Sequence, residues 1–219
     1  MGIEIDLLKN YPKSKRDPKA RAAEKTEEDR RIARQFEKEF FDGERRHGYG
    51  GFYYDPRFWK PVIPDFIEHF NLTQETSVLD VGCGKGFMLH DLVEALPGIN
   101  VTGIDISNYS IENCIETMKP YLQVSDAREL PFSDNSFDVV ISITTLHNLD
   151  REDFIVAINE IERISKGHSF ITLDAYRNEE ERIAMEAWNL TARTVMHVNE
   201  WKAFFKEIGY TGDYYWFMP

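Results

Sequence analysis

The chain has 219 residues, 42% hydrophobic and 29% charged, which is enough for one domain with a buried core or one domain plus an appendage. Its formal charge of −12 repels a phosphate backbone, so a nucleic-acid partner would need a basic patch. The basic residues from 13 to 34 are interleaved with Glu24, Glu27, Glu28 and Asp29, the pattern of a solvated helix face.

No apolar run approaches the roughly 20 residues of a spanning helix. The opening "MGIEIDLLKNYPKSK" lacks a signal-peptide apolar stretch, and Asp6 stands where N-acylation wants Ser or Thr, so a cytoplasmic, membrane-free protein is expected. Cys83 and Cys114 are too few and too far apart for a disulfide framework or a zinc site, and no metal is expected.

Thr26 with Asp29 forms a cap signal, after which Ile32, Ala33, Phe36 and Phe40 keep helical spacing, predicting one amphipathic helix through "TEEDRRIARQFEKEFF". "HGYGGFYYDPRFW", 47–59, follows. Its three glycines allow a bend, and its rings are too many for an ordinary exposed connector. "PVIPDFIEHF" then predicts a second amphipathic helix with Val62, Ile63, Phe66, Ile67 and Phe70 on one side.

After Asn71 short apolar runs alternate with helical periods. "SVLDVG", "NVTGIDI", "YLQVSDA", "FDVVISI" and "SFITLDAY" read as five strands. "FMLHDLVEAL", "SNYSIENCIETM", "REDFIVAINEIERIS", "EEERIAMEAWNLTART" and "VNEWKAFFKEIG" read as helices, the last capped by Asn199 and stopped by Gly209. "DYYWFMP" reads as a final strand. The alternation predicts an α/β fold: a doubly wound, mostly parallel sheet of six or seven strands with helices on both faces. The chain divides into an N-terminal helical extension, 1–70, and an α/β domain, 71–219.

The chemistry concentrates in "VLDVGCGKG", 78–86, at the first strand-to-helix turn. Gly82 and Gly84 let the chain turn sharply and let a ligand touch the backbone, and Gly86 opens the next helix. The spacing is G-x-G-x-G rather than the G-x-G-x-x-G of dinucleotide sites, and Asp80 stands two residues before the first glycine. A carboxylate there suits a ligand carrying an ammonium and a sulfonium better than one carrying phosphates.

With these motifs the chain resembles a class I S-adenosylmethionine-dependent methyltransferase, Rossmann-like, over about 72–210. The resemblance implies S-adenosylmethionine as cofactor, with S-adenosylhomocysteine as product. It implies a cofactor site of Asp80, Gly82, Cys83 and Gly84, with Asp105 in "GIDIS" taking the ribose hydroxyls and Ile106 beside it. Asp126 in "SDARELPF" would take the adenine amino group next to Ala127, and Ile143 lies on the fourth strand along the methionine part. The family's sheet closes with an antiparallel seventh strand, yet this sequence stops soon after "DYYWF". Either that strand is missing or the segment near "TVMHV" supplies it.

Acceptors in open parallel sheets lie past the carboxyl ends of the strands. His147 reads either as a general base or as a packing residue beneath the cofactor. Tyr176 and Asp174, at the end of the fifth strand, face the same mouth, although Asp174 could equally cap the next helix. His47 and His197 are weaker candidates. The segment 47–59 reads as a lid or as a staple: Tyr49 against the cofactor, Tyr53, Tyr54 and Arg57 toward the acceptor.

The function expected is methyl transfer to an oxygen or nitrogen of a small polar metabolite such as a sugar or activated sugar. The alternatives are a nucleotide-cofactor oxidoreductase and a non-catalytic module that binds the adenosyl cofactor.

Overall fold

The computed structural model describes residues 2–12 and 25–218. Residues 13–24, which carry much of the basic segment, lie outside the described residues.

Seven strands form the sheet among the described residues: β1 (Ser77–Val81), β2 (Asn100–Asp105), β3 (Leu122–Val124), β4 (Val139–Ile143), β5 (Ser169–Tyr176), β6 (Met196–His197) and β7 (Asp213–Phe217). Their order is β3-β2-β1-β4-β5-β6, with β7 paired to β5. The order reverses between β1 and β4, and ligands of open α/β sheets bind past the strand ends at such a switch point. The segment "TVMHV" does supply a strand, β6. The expected antiparallel closure is absent: β7 runs parallel to β5, because a whole helix separates it from β6. Residues 3–5 lie along β7, with the Ile5 amide donating to Tyr214 O at 3.0 Å and the Tyr214 amide to Ile3 O at 3.1 Å. The outer ladder of β7 is thereby covered rather than left as an open edge.

Alternation along the strands feeds two cores. Leu79, Val81, Val140, Ile171 and Leu173 face one side, where they meet α7 (Arg151–Ile164) and α9 (Val198–Ile208) through Phe154, Ile158, Trp201 and Phe205. Val78, Val139, Ile141 and Phe170 face the other, where α4 (Ile63–Phe70) and α5 (Phe87–Ala95) bring Phe66, Leu89 and Leu92. Helix α4 stops where Asn71 turns left-handed, φ 50°. Helix α7 starts at Asp150, whose side chain accepts from the Asp153 amide, and α8 (Glu179–Trp188) starts at Asn178, which caps Glu181.

Four helix predictions need correction, among them the helix expected through "EEERIAMEAWNLTART", which ends at Trp188 with Asn189 as its cap. The helix expected from Thr26 is capped as predicted, with Thr26 and Asp29 completing a capping box, but it breaks into α1 (Glu27–Ala33) and α2 (Lys38–Asp42). Phe36 sits at φ 53° between them and turns its ring onto Phe40 at 5.2 Å, so ring packing overrides the helical period. The short helix α3 (Pro56–Trp59) follows the aromatic segment.

The helix expected after Ser107 survives only as α6 (Asn108–Glu112). The Asn113 side chain turns back to Tyr109 O, and a 3-10 turn over Glu116–Tyr121 accommodates Pro120. The cap of α9 is His197 rather than Asn199: His197 Nδ1 accepts from the Asn199 amide at 3.1 Å, and Glu200 reaches back to the His197 amide.

Phe205 is fully buried, with Trp201, Tyr210, Tyr214 and Trp216 ring centroids within 6.1 Å. Truncating it to alanine is expected to lower unfolding free energy by about 3–5 kcal/mol. Urea unfolding checks this, and a loss below about 1 kcal/mol would show that the aromatic cluster is not a stabilising core.

Candidate active site

Past Val81 the chain turns at Gly82, whose φ is 85° and where an added Cβ would run into the Thr145 side chain. Only glycine serves there. The Gly82 and Cys83 amides both donate to Ile104 O, at 2.8 and 2.9 Å, and the Gly84 amide donates to Asp105 Oδ2 at 2.8 Å. Asp105 Oδ1 accepts from the Ser107 amide at 2.9 Å. The ends of β1 and β2 are therefore locked into one unit.

Two carboxylates are buried in that unit. Burial raises the pKa of Asp105, and the amides of Ser107 and Gly84 work against the rise. Asp80 is 4% exposed, and no donor among the described residues reaches its carboxylate. Burial first, and then the charge of Asp105, push it up to about 7.

Around this unit, Ile106 is half exposed, and Val124, the register partner of Asp105, is also exposed. Together they offer an apolar wall beside the Asp105 carboxylate. Asp126 accepts from Arg128 through Nη2 at 2.6 Å and Nε at 3.0 Å, which holds its pKa down, and Arg128 reaches on to Asp153. Ala127 packs against the first core, and Ile143 ends β4 half-buried. Cys83 is buried with its thiol pKa pushed up by that burial, which suits a space-filling side chain. Sequence reading missed Thr144. It adopts φ 50°, costly for a β-branched residue, and is held by its amide donating to Thr172 O and Oγ1.

His147 is buried. Its Nδ1 accepts from the Asp174 amide at 3.1 Å, which places the ring proton on Nε2, 3.7 Å from Asp174 Oδ1. Burial lowers its pKa while Asp174 opposes. The lone pair a general base needs is thus taken by the fold, and the packing reading replaces the catalytic one. Asp174 is equally buried, with its pKa raised by burial, and it does not cap α8, since Asn178 does. Tyr176 is half-buried and lines a cavity of about 180 Å³ with Arg182, Met185, Glu186, Asn189 and Val195.

The aromatic segment divides between packing and surface. Phe52 stacks on Tyr49 at 4.2 Å and on Phe87 at 4.7 Å, and it covers Gly84. Tyr49 and Tyr53 remain exposed. Tyr54 donates to Asp91 on α5 at 2.5 Å, and burial and that bond push its pKa up to about 12, so Tyr54 is a staple and not an acceptor contact. Arg57 is held at its own helix start by Asp55 at 2.6 Å. Tyr54, with Tyr53, also lines a cavity of about 310 Å³ beside Lys85 of the glycine turn. His47 is buried between Asp29, at 3.1 Å, and Glu39, at 3.4 Å, inside the extension, and His197 is spent as the α9 cap.

Comparison with known proteins fits this geometry. Residues 79–173 match the model of a methyltransferase domain. The chain is 32% identical to the tRNA (carboxymethyluridine(34)-5-O)-methyltransferase of Arabidopsis thaliana over 66% of its own length and 34% of that protein's. It is 31% identical to the 2-methyl-6-phytyl-1,4-hydroquinone methyltransferase of Synechocystis over 68% of its length and 50% of the relative's. The chain thus spans half or less of these relatives. A solved S-adenosylmethionine-dependent methyltransferase from Aquifex aeolicus shares the fold, with TM-score 0.50 and 19% identity over 67% of this chain and 78% of that one. Residues 79–173 are thus similar to a methyltransferase-domain family, and the sheet has the fold of an S-adenosylmethionine-dependent methyltransferase. The family's cofactor is S-adenosylmethionine, and the dinucleotide-oxidoreductase alternative falls away.

The residues present fit that molecule. A buried carboxylate that no donor among the described residues meets can accept a cationic ligand group, and the neighbouring Asp105 oxygens retain lone pairs for hydroxyls.

A carboxyl raised from 3.8 to about 7 binds more protons in the folded state than in the unfolded one, so it makes stability fall as pH rises from about 4 to 7. The ammonium of S-adenosylhomocysteine favours the ionised form, so its affinity is expected to rise through the same upper range with proton release. Calorimetry in buffers of different ionisation enthalpy reads both effects. The variant Asp80→Asn is expected to lose most of the pH dependence, and an unchanged profile would remove Asp80 from the site.

Proposed function

We propose that the protein moves the methyl group of S-adenosylmethionine to an oxygen or nitrogen of a small polar metabolite, a hydroxylated sugar or activated sugar being the first class to test. The observation that carries this reading is the convergence of the glycine turn, Asp80 and Asp105 at the switch point between β1 and β4. The bound cofactor supplies an electrophilic methyl on a sulfonium, and the protein's part in such an in-line displacement is chiefly alignment.

In this reading Asp80 meets the cofactor's positive end, Asp105 the ribose hydroxyls, Ile106 and Val124 the adenine face, and Asp126 its amino group through an oxygen lone pair that Arg128 leaves. His147 braces the β5 end through the Asp174 amide. Tyr176 presents its hydroxyl to the acceptor from the β5 end, in a cavity whose other polar groups belong to Arg182, Glu186 and Asn189. Arg182 is already held between Glu179 and Glu186, so this lining suits the neutral hydroxylated sugar itself, and the phosphates of an activated sugar would lie outside it. Residues 71–219 act as the catalytic domain and 1–70 as its cover. The charge of −12 supports a small acceptor over RNA, although one relative is named for a tRNA reaction.

Incubation with methyl-labelled S-adenosylmethionine and three pools, polar metabolites including sugar nucleotides, quinols, and total tRNA, tests the proposal. Label is expected in the polar pool. Tyr176→Phe is expected to lower turnover about tenfold, the size of one transition-state hydrogen bond, with S-adenosylhomocysteine affinity unchanged. Label confined to tRNA or quinols would replace the acceptor class. Cofactor binding with no label in any pool would favour the non-catalytic module.

A further inference from the structure

The cofactor unit does not stand alone: the extension grips it at two points. Asp42, the last residue of α2, accepts three donors from three parts of the chain. They are Lys85 Nζ of the glycine turn at 2.6 Å, the Tyr109 hydroxyl of α6 at 2.7 Å, and the Phe52 amide of the aromatic segment at 2.8 Å. Lys85 Nζ also donates to Phe52 O at 3.0 Å. The Lys85 and Asp42 side chains are only 5% and 13% exposed. At the other end of α2, Glu37 accepts from the Asn108 and Tyr109 amides at 3.2 and 3.1 Å, the first turn of α6.

Those contacts fall on the two loops that carry the cofactor residues. Lys85 lies between Gly84 and Gly86. Asn108 and Tyr109 lie three and four residues past Asp105. Helix α2 therefore spans the gap between the glycine turn and the turn after β2, parallel in purpose to the internal Gly84–Asp105 bond. Breaking one partner of a buried pair leaves a charge that the site must then relax to solvate. Burial alone would raise the pKa of Asp42, but its bonds from Lys85, Phe52 and Tyr109 outweigh that and hold it below the ordinary carboxylate value. The same carboxylate and burial push the Tyr109 phenol up to about 12.

We infer that Asp42 and Glu37 are positioning residues of the cofactor site, setting the spacing of its two loops from the extension, with Lys85 as the receiving group in the glycine turn. The inference rests on the cofactor reading above. It makes residues 26–59 part of the binding site rather than a cover laid over a finished one.

The test is S-adenosylhomocysteine affinity by calorimetry, with melting temperature and amide exchange of 82–86, in the full chain carrying Asp42→Asn, Glu37→Gln, Lys85→Met, or Asp42→Asn with Lys85→Met. Each single variant is expected to bind about tenfold more weakly, and the double variant also about tenfold rather than a hundredfold, because the pair acts as one linkage. Exchange at 82–86 is expected to quicken in each. Tyr109→Phe, which removes one donor and keeps the charges, is a milder variant expected to fold and to bind about threefold more weakly.

Folded variants that bind within twofold of the parent, or losses that multiply in the double variant, would overturn the inference. A parent chain that does not bind S-adenosylhomocysteine would overturn the cofactor reading instead.

Discussion

Everything at the strand ends is arranged around two carboxylates buried close together where β1 and β2 finish. For Asp105 the cost of burial is offset by the amides of Gly84 and Ser107. For Asp80 no donor is present among the described residues, and it is further opposed by its neighbour's charge. In its ionised form such an uncompensated group is completed by a cationic partner. The glycines, the strained Thr144 and the close contact between Gly82 and Thr145 all bring backbone near that same spot without filling it.

The parallel sheet explains why this arrangement is possible. Every strand from β1 to β5 points its carboxyl end to one edge, so Asp80, Asp105, Val124, Ile143 and Tyr176 line that edge from positions up to 96 apart in the sequence. The two apolar cores fix the sheet from both faces, which leaves the edge as the one place where polar groups can be held without a layer of helix above them.

Much of this was legible in the sequence, and what was not has a physical reason. Apolar runs of "SVLDV" or "VVISI" have nowhere to go but a buried strand, and the glycine spacing with Asp80 and Asp105 marks the turns they must make. The helix breaks were not legible, because Phe36 turns left-handed and the Asn113 side chain folds back onto Tyr109 O, local departures that the spacing of the apolar residues does not signal. His147 looked like a base because imidazole titrates near neutrality. Only coordinates show its lone pair already occupied by the Asp174 amide. Asp42, Glu37 and Lys85 were invisible for a simpler reason: a charged residue on a helix or in a turn is usually solvated, and nothing local marks the few that bond a partner some 40 or more residues away.

The charge pairs of this protein also sort by their response to ionic strength. Those along α8, where Arg182 meets Glu179 and Glu186, are 37–69% exposed and are screened within about a Debye length of ~8 Å at physiological salt. The Lys85–Asp42 pair is only 5% and 13% exposed, with the rings of Tyr53 and Tyr109 each 5.6 Å from the ammonium, and is screened less. Added salt therefore relieves the self-repulsion of a chain with net charge −12 while leaving its most consequential ion pair intact.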